Sequence, residues 1–499
     1  MGSVLSASAF FLTLAGTTVP ARAVETEVNS TTAAQSYALS SPWGGLTVKR
    51  RRLLQTLALG LYHLEGGDRP GKADISVRLR LRLDADAGIS SDETAYNAAS
   101  DRFVPGLALA PIDLMYAYVE GRNLANGWLG FRLGRQYVTD SLGWWAFDGG
   151  LLRVTTPFFA EVELYGGLEE RGGLPLSTPR FERNGVWRGD RKGFDDTVYT
   201  QFEKASIAPS YGVALQSTGV TWIHGRLDYR KVLNTGNSIV SLLVPDPISG
   251  LPVVASGTRT SSERIGYSLD TSAASVGALK GGLVYDLFNT EFSTYYAQAD
   301  WYAAPWLSLG GEYEYFRPSF DGDSIFNYFA HSPLRTISGR LAVDPTDQIT
   351  IAASGGIRSF TTDGDPNNFY DATGQKVRGQ VSVNDVMTSG AARYHYDTGL
   401  FGLRGLSETG DRGHRRGGDL YTEQYFLARR WMALGRVSVY DWKDNTRPDR
   451  NATSFGYVVG GGFRPSPVAE AMVEWEHDMN RLVGQRFRIL ALLNLTVTK

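Results

Sequence analysis

The stretch 74–88 (DISVRLRLRLDADAG) separates into two faces when it is read with a period of two. Its odd-numbered positions from 75 to 87 are Ile, Val, Leu, Leu, Leu, Ala and Ala, and its even-numbered positions from 76 to 86 are Ser, Arg, Arg, Arg, Asp and Asp. Alternate side chains of a β-strand point to opposite sides, so a strand with one apolar and one charged wall is predicted. The stretch exceeds the about five or six residues of typical soluble strands and suffices for the roughly nine to eleven that cross a bilayer.

The same two-sided pattern recurs along most of the chain. Further strands are predicted at 127–139, 158–168, 220–233, 292–304, 306–317, 336–345, 348–360, 385–398, 418–430, 432–443, 453–464, 468–479 and 484–497, and a weaker one at 205–217. A single edge strand of a soluble sheet can alternate in this way, but a recurrence of this length favours one large sheet.

Composition narrows the class of protein. The 499 residues include no cysteine, so disulfides and thiolate chemistry are excluded. The 50 Lys and Arg nearly balance the 52 Asp and Glu, which argues against a dedicated nucleic-acid binder. Mean hydropathy is -0.21, and beyond the N-terminus no apolar run reaches the roughly twenty residues of a membrane helix. Modest hydropathy with many aromatics fits a membrane β-barrel, and a large soluble all-β protein equally well.

The N-terminal region favours export from the cytoplasm. Positions 4–16 are apolar and small, and Ala21-Arg22-Ala23 resembles a cleavage site, so residues 1–23 are predicted to be a signal peptide. Residues 24–45 are predicted to be a loose periplasmic lead-in. The segment 46–64 is either a first barrel strand or a periplasmic helix, and strand parity favours the helix.

The connections between the predicted strands are of two kinds. Short turns near 156–157, 276–277, 304–305, 344–346, 397–399, 430–431 and 465–467 alternate with more polar and mostly longer connections, at 171–197, 235–261, 320–335, 362–383, 410–417 and 444–452. Short periplasmic turns opposite long outer loops are typical of outer-membrane barrels. Tryptophans lie near both sets of connections, as membrane-interface belts require: Trp306 and Trp431 near short turns, and Trp144, Trp145 and Trp442 near long ones.

These observations predict an all-β fold, a single antiparallel transmembrane β-barrel over residues 46–499. We expect about 18 strands, within a range of 16 to 20, in the outer membrane of a Gram-negative bacterium. If the last strand runs down to a periplasmic C-terminus, the stretch 74–88 is the first upward strand.

The RLRLRLDAD strand at 78–86 and the run Gly134-Arg135-Gln136 also carry a resemblance. Over roughly residues 46–499 the chain resembles Gram-negative outer-membrane β-barrels of the porin type. Within that group it is most similar to exopolysaccharide-export barrels, such as alginate-export porins and the barrels of myxobacterial polysaccharide pathways. The resemblance implies an export path through the outer membrane. Lys499 departs from it, because such barrels usually end in an aromatic residue, and Phe487 lies inside the last strand.

If the apolar faces meet lipid, the opposite faces define the lumen. The predicted pore-lining residues are Arg78, Arg80, Arg82, Arg132, Arg226, Arg230, Arg340, Arg358, Arg404, Arg486, Arg488, Glu161, Glu163, Glu312, Glu314 and Glu474. The same faces carry Arg393, Arg436, Asp228, Asp300, Glu470 and Glu476. Arginine in such a pore attracts anions and forms bidentate contacts with carboxylates. Opposite charges can instead pair across strands and stiffen the barrel, so both interpretations stay open.

No catalytic, cofactor or metal site is predicted. The run 66–72 (GGDRPGK) places Ala73 where a phosphate-binding loop needs Ser or Thr. The six histidines form no close-spaced ligand pair, and Asp363, Asp365, Asn367 and Asp371 lack the spacing of a calcium-binding EF-hand. His477 beside Asp478 is the only hint of a catalytic pair, and an enzyme is therefore not expected.

Two functional hypotheses follow. The first is an outer-membrane channel for polar solute, most simply an export path for an exopolysaccharide, whose partners are the lipid bilayer, a polar or anionic polysaccharide and periplasmic export proteins. The second is a structural or adhesion barrel that anchors a surface or motility complex. A general diffusion porin is a further alternative, and no nucleic-acid partner is expected.

Overall fold

The computed structural model describes residues 24–41, 46–65, 72–86, 112–170, 208–235, 238–245, 252–255, 257–320, 333–363, 380–411, 413–445 and 448–499. Within these ranges the helical residues are one turn at Leu124–Gly127 and a 3-10 turn at Pro448–Arg450. No described helix has the length and apolar character needed to cross a membrane. The predicted signal peptide (1–23), the run 66–71 and the positions 365, 367 and 371 lie outside the described residues.

The described chain consists mainly of β-strands. In chain order they are β1 (Glu25–Ser40), β2 (Leu46–Tyr62), β3 (Asp74–Asp86), β4 (Ile112–Asn123), β5 (Leu129–Asp140), β6 (Gly143–Thr155), β7 (Ala160–Glu169), β8 (Pro209–Ser217), β9 (Ile223–Asn234), β10 (Ser238–Pro245), β11 (Pro252–Ala255), β12 (Arg259–Ala273), β13 (Gly277–Asp286), β14 (Glu291–Ala304), β15 (Leu307–Phe316), β16 (Leu334–Thr346), β17 (Ile349–Asp363), β18 (Gln380–Tyr396), β19 (Gly399–Gly410), β20 (Gly413–Phe426), β21 (Trp431–Asp444), β22 (Ala452–Ser466), β23 (Ala469–Asn480) and β24 (Gly484–Thr498).

Twenty-two of these strands form one closed antiparallel sheet. Each pairs with the next, β9 pairs with β12, and β1 closes the ring by pairing with β24. The hairpin β10–β11 forms a separate two-stranded sheet. The predicted fold class is confirmed, and the strand number is 22 where the sequence predicts about 18. The additional strands include β6, which is apolar on both faces, and β19, in which glycines replace the alternating side chains.

The N-terminal part of the barrel corrects two expectations. Residues 25–40, expected as a loose periplasmic lead-in, form β1 and pair along their length with both β2 and β24. Residues 46–62, for which a helix is favoured, form a strand. Neither strand alternates clearly between polar and apolar residues, because β1 contains mainly small residues and β2 contains a long apolar run. Because two strands are added, the direction of β3 is unchanged, but it is the third strand of the barrel and not the first.

The two ends of the barrel have different connections. The end that carries both chain termini has connections of five residues or fewer at 124–128, 156–159, 218–222, 274–276, 305–306, 347–348, 397–398, 427–430 and 467–468. We call it the short-turn end. The opposite, long-loop end has long connections at 87–111, 170–208, 235–258, 317–333 and 364–379. One predicted long connection, 410–417, is only the two residues 411–412, because Gly413 already begins β20.

The outer face of the barrel is largely apolar. Its exposed residues alternate along neighbouring strands, as in Val459, Val473 and Ile489. Exposed aromatic residues ring the short-turn end, namely Trp128, Phe158, Trp222, Trp301, Trp306 and Trp431. Unpaired backbone groups are not tolerated in lipid, and a closed barrel with an apolar outer band has none at its edges. This architecture is that of an outer-membrane β-barrel, as predicted.

The tryptophans at the long-loop end correct one detail. Trp145, expected in an interface belt, is buried, and it stacks on Phe147 with ring centroids 4.3 Å apart. Trp442 shares the face of Tyr440, whose hydroxyl contacts the buried Asp419. Only Trp144 lies on the outer face, 6.2 Å from the ring of Tyr137. Neighbouring tryptophans of a strand must point to opposite sides, so Trp144 and Trp145 cannot share one belt.

Candidate functional site: the charged inner face of the barrel

One contact identifies the inner face of the barrel. Arg230 on β9 binds Asp140 on β5 with nitrogen and oxygen 2.5 Å apart, although three strands separate β5 from β9 in the sheet. Side chains can span that distance only across the concave interior. The face that carries Arg230 and Asp140 is therefore the inner face, and the register relates every other strand to it.

All sixteen residues predicted to line the pore share this face. Following the register from strand to strand places on it Arg78, Arg80, Arg82, Arg132, Glu161, Glu163, Arg226, Arg230, Glu312, Glu314, Arg340, Arg358, Arg404, Glu474, Arg486 and Arg488. Whether they line a path for solute stays a prediction. Their surroundings divide them into two groups.

On one side of the interior, formed by β4–β9, a turn folds inward across the lumen. The turn 141–142 joins β5 to β6, and the Ser141 hydroxyl donates a hydrogen bond of 2.7 Å to Asp228 on β9. Gly266 on β12 lies so close to Ser141 and Leu142 that any side chain there would collide with them. We call the inner wall formed by these strands, together with the adjoining β3, the filled side.

A small apolar core lies under this turn. It consists of Val138, Trp145, Phe147, Leu151 and Tyr165, and Phe147 is 0% exposed. The guanidinium of Arg230 lies over the Trp145 ring, 4.8 Å from its centroid. These rings share a face with Arg153, because alternate residues of β6 point inward. The inward face of β6 is therefore apolar where a water-filled wall would be polar.

Paired charges surround the apolar core. Glu120 is 2% exposed and accepts hydrogen bonds from Arg122 at 2.7 Å and from Arg132 at 2.9 Å. Glu163 accepts from Arg153 at 2.9 Å and from Arg226 at 3.1 Å. Buried carboxylates are stable only when hydrogen-bonded partners replace water. On this side arginine and glutamate hold neighbouring strands together.

The arginine ladder of β3 belongs to the filled side as well. Arg78 lies over the Tyr62 ring, 5.1 Å from its centroid, and 3.9 Å from Glu120. Arg80 lies 3.4 Å from the Thr56 hydroxyl, and Arg82 is buried. The three like charges are therefore packed among side chains of β2 and β4.

The remaining inner wall, from β14 to β24, is more open. Arg340 is 41% exposed and forms a bidentate pair with Asp300, while Arg358 pairs with Glu408. Arg486 and Arg488 both pair with Glu476. Because several of these arginines keep contact with solvent, we call β14–β24 the open side.

A recess of about 610 Å³ lies in the open side, between β18 and β24. Its charged lining residues are Arg393, Arg404, Arg436, Arg488, Asp419, Glu423 and Glu474. Asp419 is buried and accepts hydrogen bonds from the Ser438 hydroxyl at 2.6 Å and the Tyr440 hydroxyl at 2.7 Å. Arg436 contacts the same carboxylate at 3.0 Å but remains 52% exposed.

Two arginines of this recess have no carboxylate partner among the described residues. Arg393 donates only to the Tyr421 hydroxyl, at 3.3 Å. Arg404 is exposed and makes neither a hydrogen bond nor an ion pair with another described residue. A guanidinium fork that faces water can bind a carboxylate or phosphate in bidentate geometry. The recess therefore has the chemistry of an anion-binding site.

Sequence periodicity places these arginines on one face, but it does not bring Tyr421 and Asp419 to them. Both are missing from the predicted set, although each follows the same period of two on β20. The strand predicted at 418–430 contains both residues at odd-numbered positions, so its period of two would have placed Asp419 and Tyr421 on one face. One further group, His63, Glu65 and Asp74, lies at the short-turn end and could hold a metal ion.

Comparisons with known proteins give matches to solved structures. No protein-family profile and no curated protein matches the sequence. Among solved structures, the outer membrane protein OpdK from Pseudomonas aeruginosa is 10% identical, with 95% of this chain and 99% of that chain covered and a TM-score of 0.40. OpdK with vanillate is 9% identical over 95% and 99% of the two chains, with a TM-score of 0.42. OccAB4 from Acinetobacter baumannii is 8% identical over 95% and 98%, with a TM-score of 0.42. Likeness at this level assigns no family to the chain.

Proposed function

We propose that this protein is an outer-membrane diffusion channel for small polar solutes, and that it favours solutes carrying a carboxylate or phosphate. The observation that carries the proposal is the pair Arg393 and Arg404, exposed on the inner face without a carboxylate partner among the described residues. The activity is passage without chemical change, in agreement with the sequence prediction.

The size of the ring supports an aqueous path. Twenty-two strands about 4.8 Å apart and tilted by about 40° close a ring roughly 40 Å across. The inward turn 141–142 and the apolar core beneath it occupy the filled side. The open side keeps exposed arginines, which indicates water and not packed protein next to them.

The charge of the open side supports a preference for anions. The recess is lined by four arginines and three carboxylates, and one of the carboxylates, Asp419, is already bound by Ser438, Tyr440 and Arg436. Arg393 and Arg404 remain available to the lumen. In a constricted aqueous path, fixed positive groups raise the local concentration of anions and lower that of cations.

Ion selectivity tests the proposal. In planar bilayers under a potassium chloride gradient, the wild-type barrel should conduct with a reversal potential on the anion-selective side. The double variant Arg393→Gln, Arg404→Gln removes two positive charges from the recess, and we expect its reversal potential to shift toward cations. Single-channel conductance should change less than selectivity, because the substitutions leave the 22-stranded ring unchanged and alter mainly its fixed charge.

Arg416→Gln is the matched control. Arg416 lies on the neighbouring strand β20 but on the outer face, where its guanidinium contacts the Thr409 hydroxyl at 3.3 Å. Arg416→Gln removes one positive charge by the same substitution without touching the inner face, so the reversal potential of this variant should equal that of wild type. An unchanged reversal potential in the double variant, or an equal shift of the reversal potential in Arg416→Gln, would contradict anion selection by the recess. A complete absence of conductance would contradict the channel itself.

Export of an anionic polysaccharide is the second candidate. The width of the ring and the arginines of the open side would also suit an extended chain of uronic acid residues. Swelling of liposomes that contain the barrel separates the candidates. Entry of monosaccharides and small organic acids, with exclusion of long uronate oligomers, favours the diffusion channel, and entry of the oligomers favours export.

A further inference from the structure

A histidine and two carboxylates meet at the short-turn end of the barrel, away from the anion recess. His63 and Glu65 follow β2, and Asp74 begins β3. The His63 Nδ1 atom lies 3.3 Å from Asp74 Oδ1 and 3.9 Å from Glu65 Oε1. One ligand atom of each residue falls within 4.8 Å of those of the other two. We call these three residues the His63 cluster.

The spacing of these donor atoms suits a small divalent cation. Zinc binds imidazole nitrogen and carboxylate oxygen at about 2.0 to 2.2 Å in tetrahedral geometry, which places its ligand atoms roughly 3.3 to 3.5 Å apart. His63 and Asp74 already have this spacing. The Glu65 ligand atom, 3.9 Å from His63 Nδ1 and within 4.8 Å of the Asp74 ligand atom, must move closer to both, which a glutamate side chain does by rotation. One imidazole with two carboxylates is a donor set that zinc accepts more readily than magnesium.

An unsatisfied oxygen gives an independent sign of a missing ligand. The Asp74 side chain is 27% exposed, but its Oδ1 atom is shielded from solvent, lies 3.3 Å from His63 Nδ1 and accepts no well-aligned hydrogen bond. A buried carboxylate oxygen without a partner is unfavourable. A cation between His63 Nδ1 and Asp74 Oδ1 would satisfy it.

The surrounding contacts orient the other two groups. The backbone N–H of Ile75 donates to Glu65 Oε2 at 2.8 Å, which leaves Oε1 directed toward His63. Glu25 on β1 lies 3.9 Å from the second ring nitrogen of His63, Nε2. A carboxylate hydrogen-bonded to the far nitrogen of a metal-binding histidine fixes its tautomer and raises its basicity, and a rotation of the exposed Glu25 side chain would close the 3.9 Å gap to that bond.

We propose that His63, Glu65 and Asp74 bind a divalent cation of the zinc class, and that Glu25 supports His63 from β1. The ion would link the end of β2 to the start of β3, where the backbone N–H of Leu64 already donates to the Ile75 carbonyl. Through Glu25 it would also tie these strands to β1, which closes the barrel against β24. The site serves stability of the closing seam and is independent of solute passage.

Metal binding to the purified barrel tests this site. The folded protein in detergent is stripped with a chelator, exchanged into metal-free buffer and titrated with zinc chloride by isothermal calorimetry, and bound metal is counted by mass spectrometry. We expect one zinc ion per barrel and much weaker binding of magnesium. Asp74→Asn and His63→Ala should each lower the affinity by about 100-fold or more, and Glu25→Gln by about 10-fold.

His224→Ala is the matched control. His224 also lies near the short-turn end, and its Nδ1 atom is 3.3 Å from Asp270 Oδ2, the distance found in the His63 cluster. No third ligand completes a group there among the residues that the structure describes. Its loss should leave zinc binding unchanged. Wild-type protein without a bound zinc ion, undiminished binding in both His63→Ala and Asp74→Asn, or equal weakening by His224→Ala would overturn the proposal.

Folding is measured separately, so that a misfolded variant cannot imitate a lost site. Folded outer-membrane barrels migrate differently from their heat-denatured forms on gels, and each variant is titrated only after this shift is verified. Should His63→Ala fail to fold, the double variant Glu65→Gln, Asp74→Asn keeps the imidazole and removes both carboxylate charges. Retention of tight zinc binding by that folded variant would overturn the proposal.

Discussion

The filled side and the open side of the barrel contain the same kinds of residue in opposite states. On the filled side, Glu120 and Glu163 are almost fully buried, and each accepts hydrogen bonds from two arginines. On the open side, Arg404 and Arg436 are exposed, and Arg404 has no partner among the described residues. The turn 141–142 lies against Asp228 and Gly266 on the filled side, and no such turn lies against Arg404 or Arg436 among the described residues.

This comparison separates structural charge from functional charge. Burial removes water from a charged group, and the loss is offset only by close partners, so a covered wall must pair its charges. An uncovered wall faces water and has no such requirement. Under the proposed function, Arg393 and Arg404 on the open side act on solutes, while the paired charges of the filled side act mainly on the barrel itself.

The largest expected effect comes from breaking one ion pair on each side. Asp140→Asn removes the carboxylate partner of Arg230 on the filled side, where both side chains are almost fully buried. Asp300→Asn removes the partner of Arg340 on the open side, where that arginine is 41% exposed. We expect the first change to lower the free energy of unfolding by about 3 kcal/mol and the second by about 1 kcal/mol or less.

Denaturant unfolding in detergent micelles, followed by tryptophan fluorescence, measures both changes. The two substitutions are chemically identical, and both sites bind an arginine across strands, so burial is the main variable. Equal losses would mean that the two sides do not differ in the way described.

The arginine ladder gives an intermediate effect that sharpens the comparison. Arg78→Gln, Arg80→Gln and Arg82→Gln together should lower the free energy of unfolding by about 2 kcal/mol, because they remove charge-assisted contacts such as Arg78 with Glu120. Reversal potential should move less than in the Arg393→Gln, Arg404→Gln variant. A larger shift would transfer ion selection to the filled side.

Labelling determines the orientation of the ladder independently. Cysteines placed at positions 78 and 79 in separate variants should differ sharply in their reaction with a water-soluble thiol reagent. Position 78 is on the inner face, whereas Leu79 is on the outer face and pairs with Ala117. Faster reaction at position 79 would mean that the inner and outer faces of β3 are the reverse of those described.

The inner face itself was predictable from sequence, because a period of two depends only on backbone geometry. Arg80 and Arg488 alternate with apolar neighbours in the printed sequence, and the structure places both on the inner face. Strands in which polar and apolar residues do not alternate were not predicted. β1 carries small polar residues on both faces, and β6 turns Trp145 and Phe147 inward, so neither strand alternates.

The partners of each charge were not predictable, because they depend on contacts between strands that are distant in the chain. Asp140 meets Arg230 only since the turn 141–142 folds across the interior, and nothing local to either residue signals this. His63 and Asp74 are likewise brought together by the pairing of β2 with β3. Histidine spacing in the sequence therefore gave no sign of the His63 cluster, which this pairing assembles.

The smallest expected effect concerns Arg404. It tests whether this exposed arginine of the open side contributes to the stability of the barrel. Arg404→Gln should change the free energy of unfolding by less than about 0.5 kcal/mol, because an exposed side chain without a partner contributes little to folding. Arg404 faces Asp419 in the register of β19 and β20, yet Asp419 is bound by Ser438, Tyr440 and Arg436. The same denaturant unfolding measurement applies, with Arg416→Gln as the outer-face control. A loss above about 1 kcal/mol would show that Arg404 stabilises Asp419, and its charge would then belong with the structural pairs of the filled side.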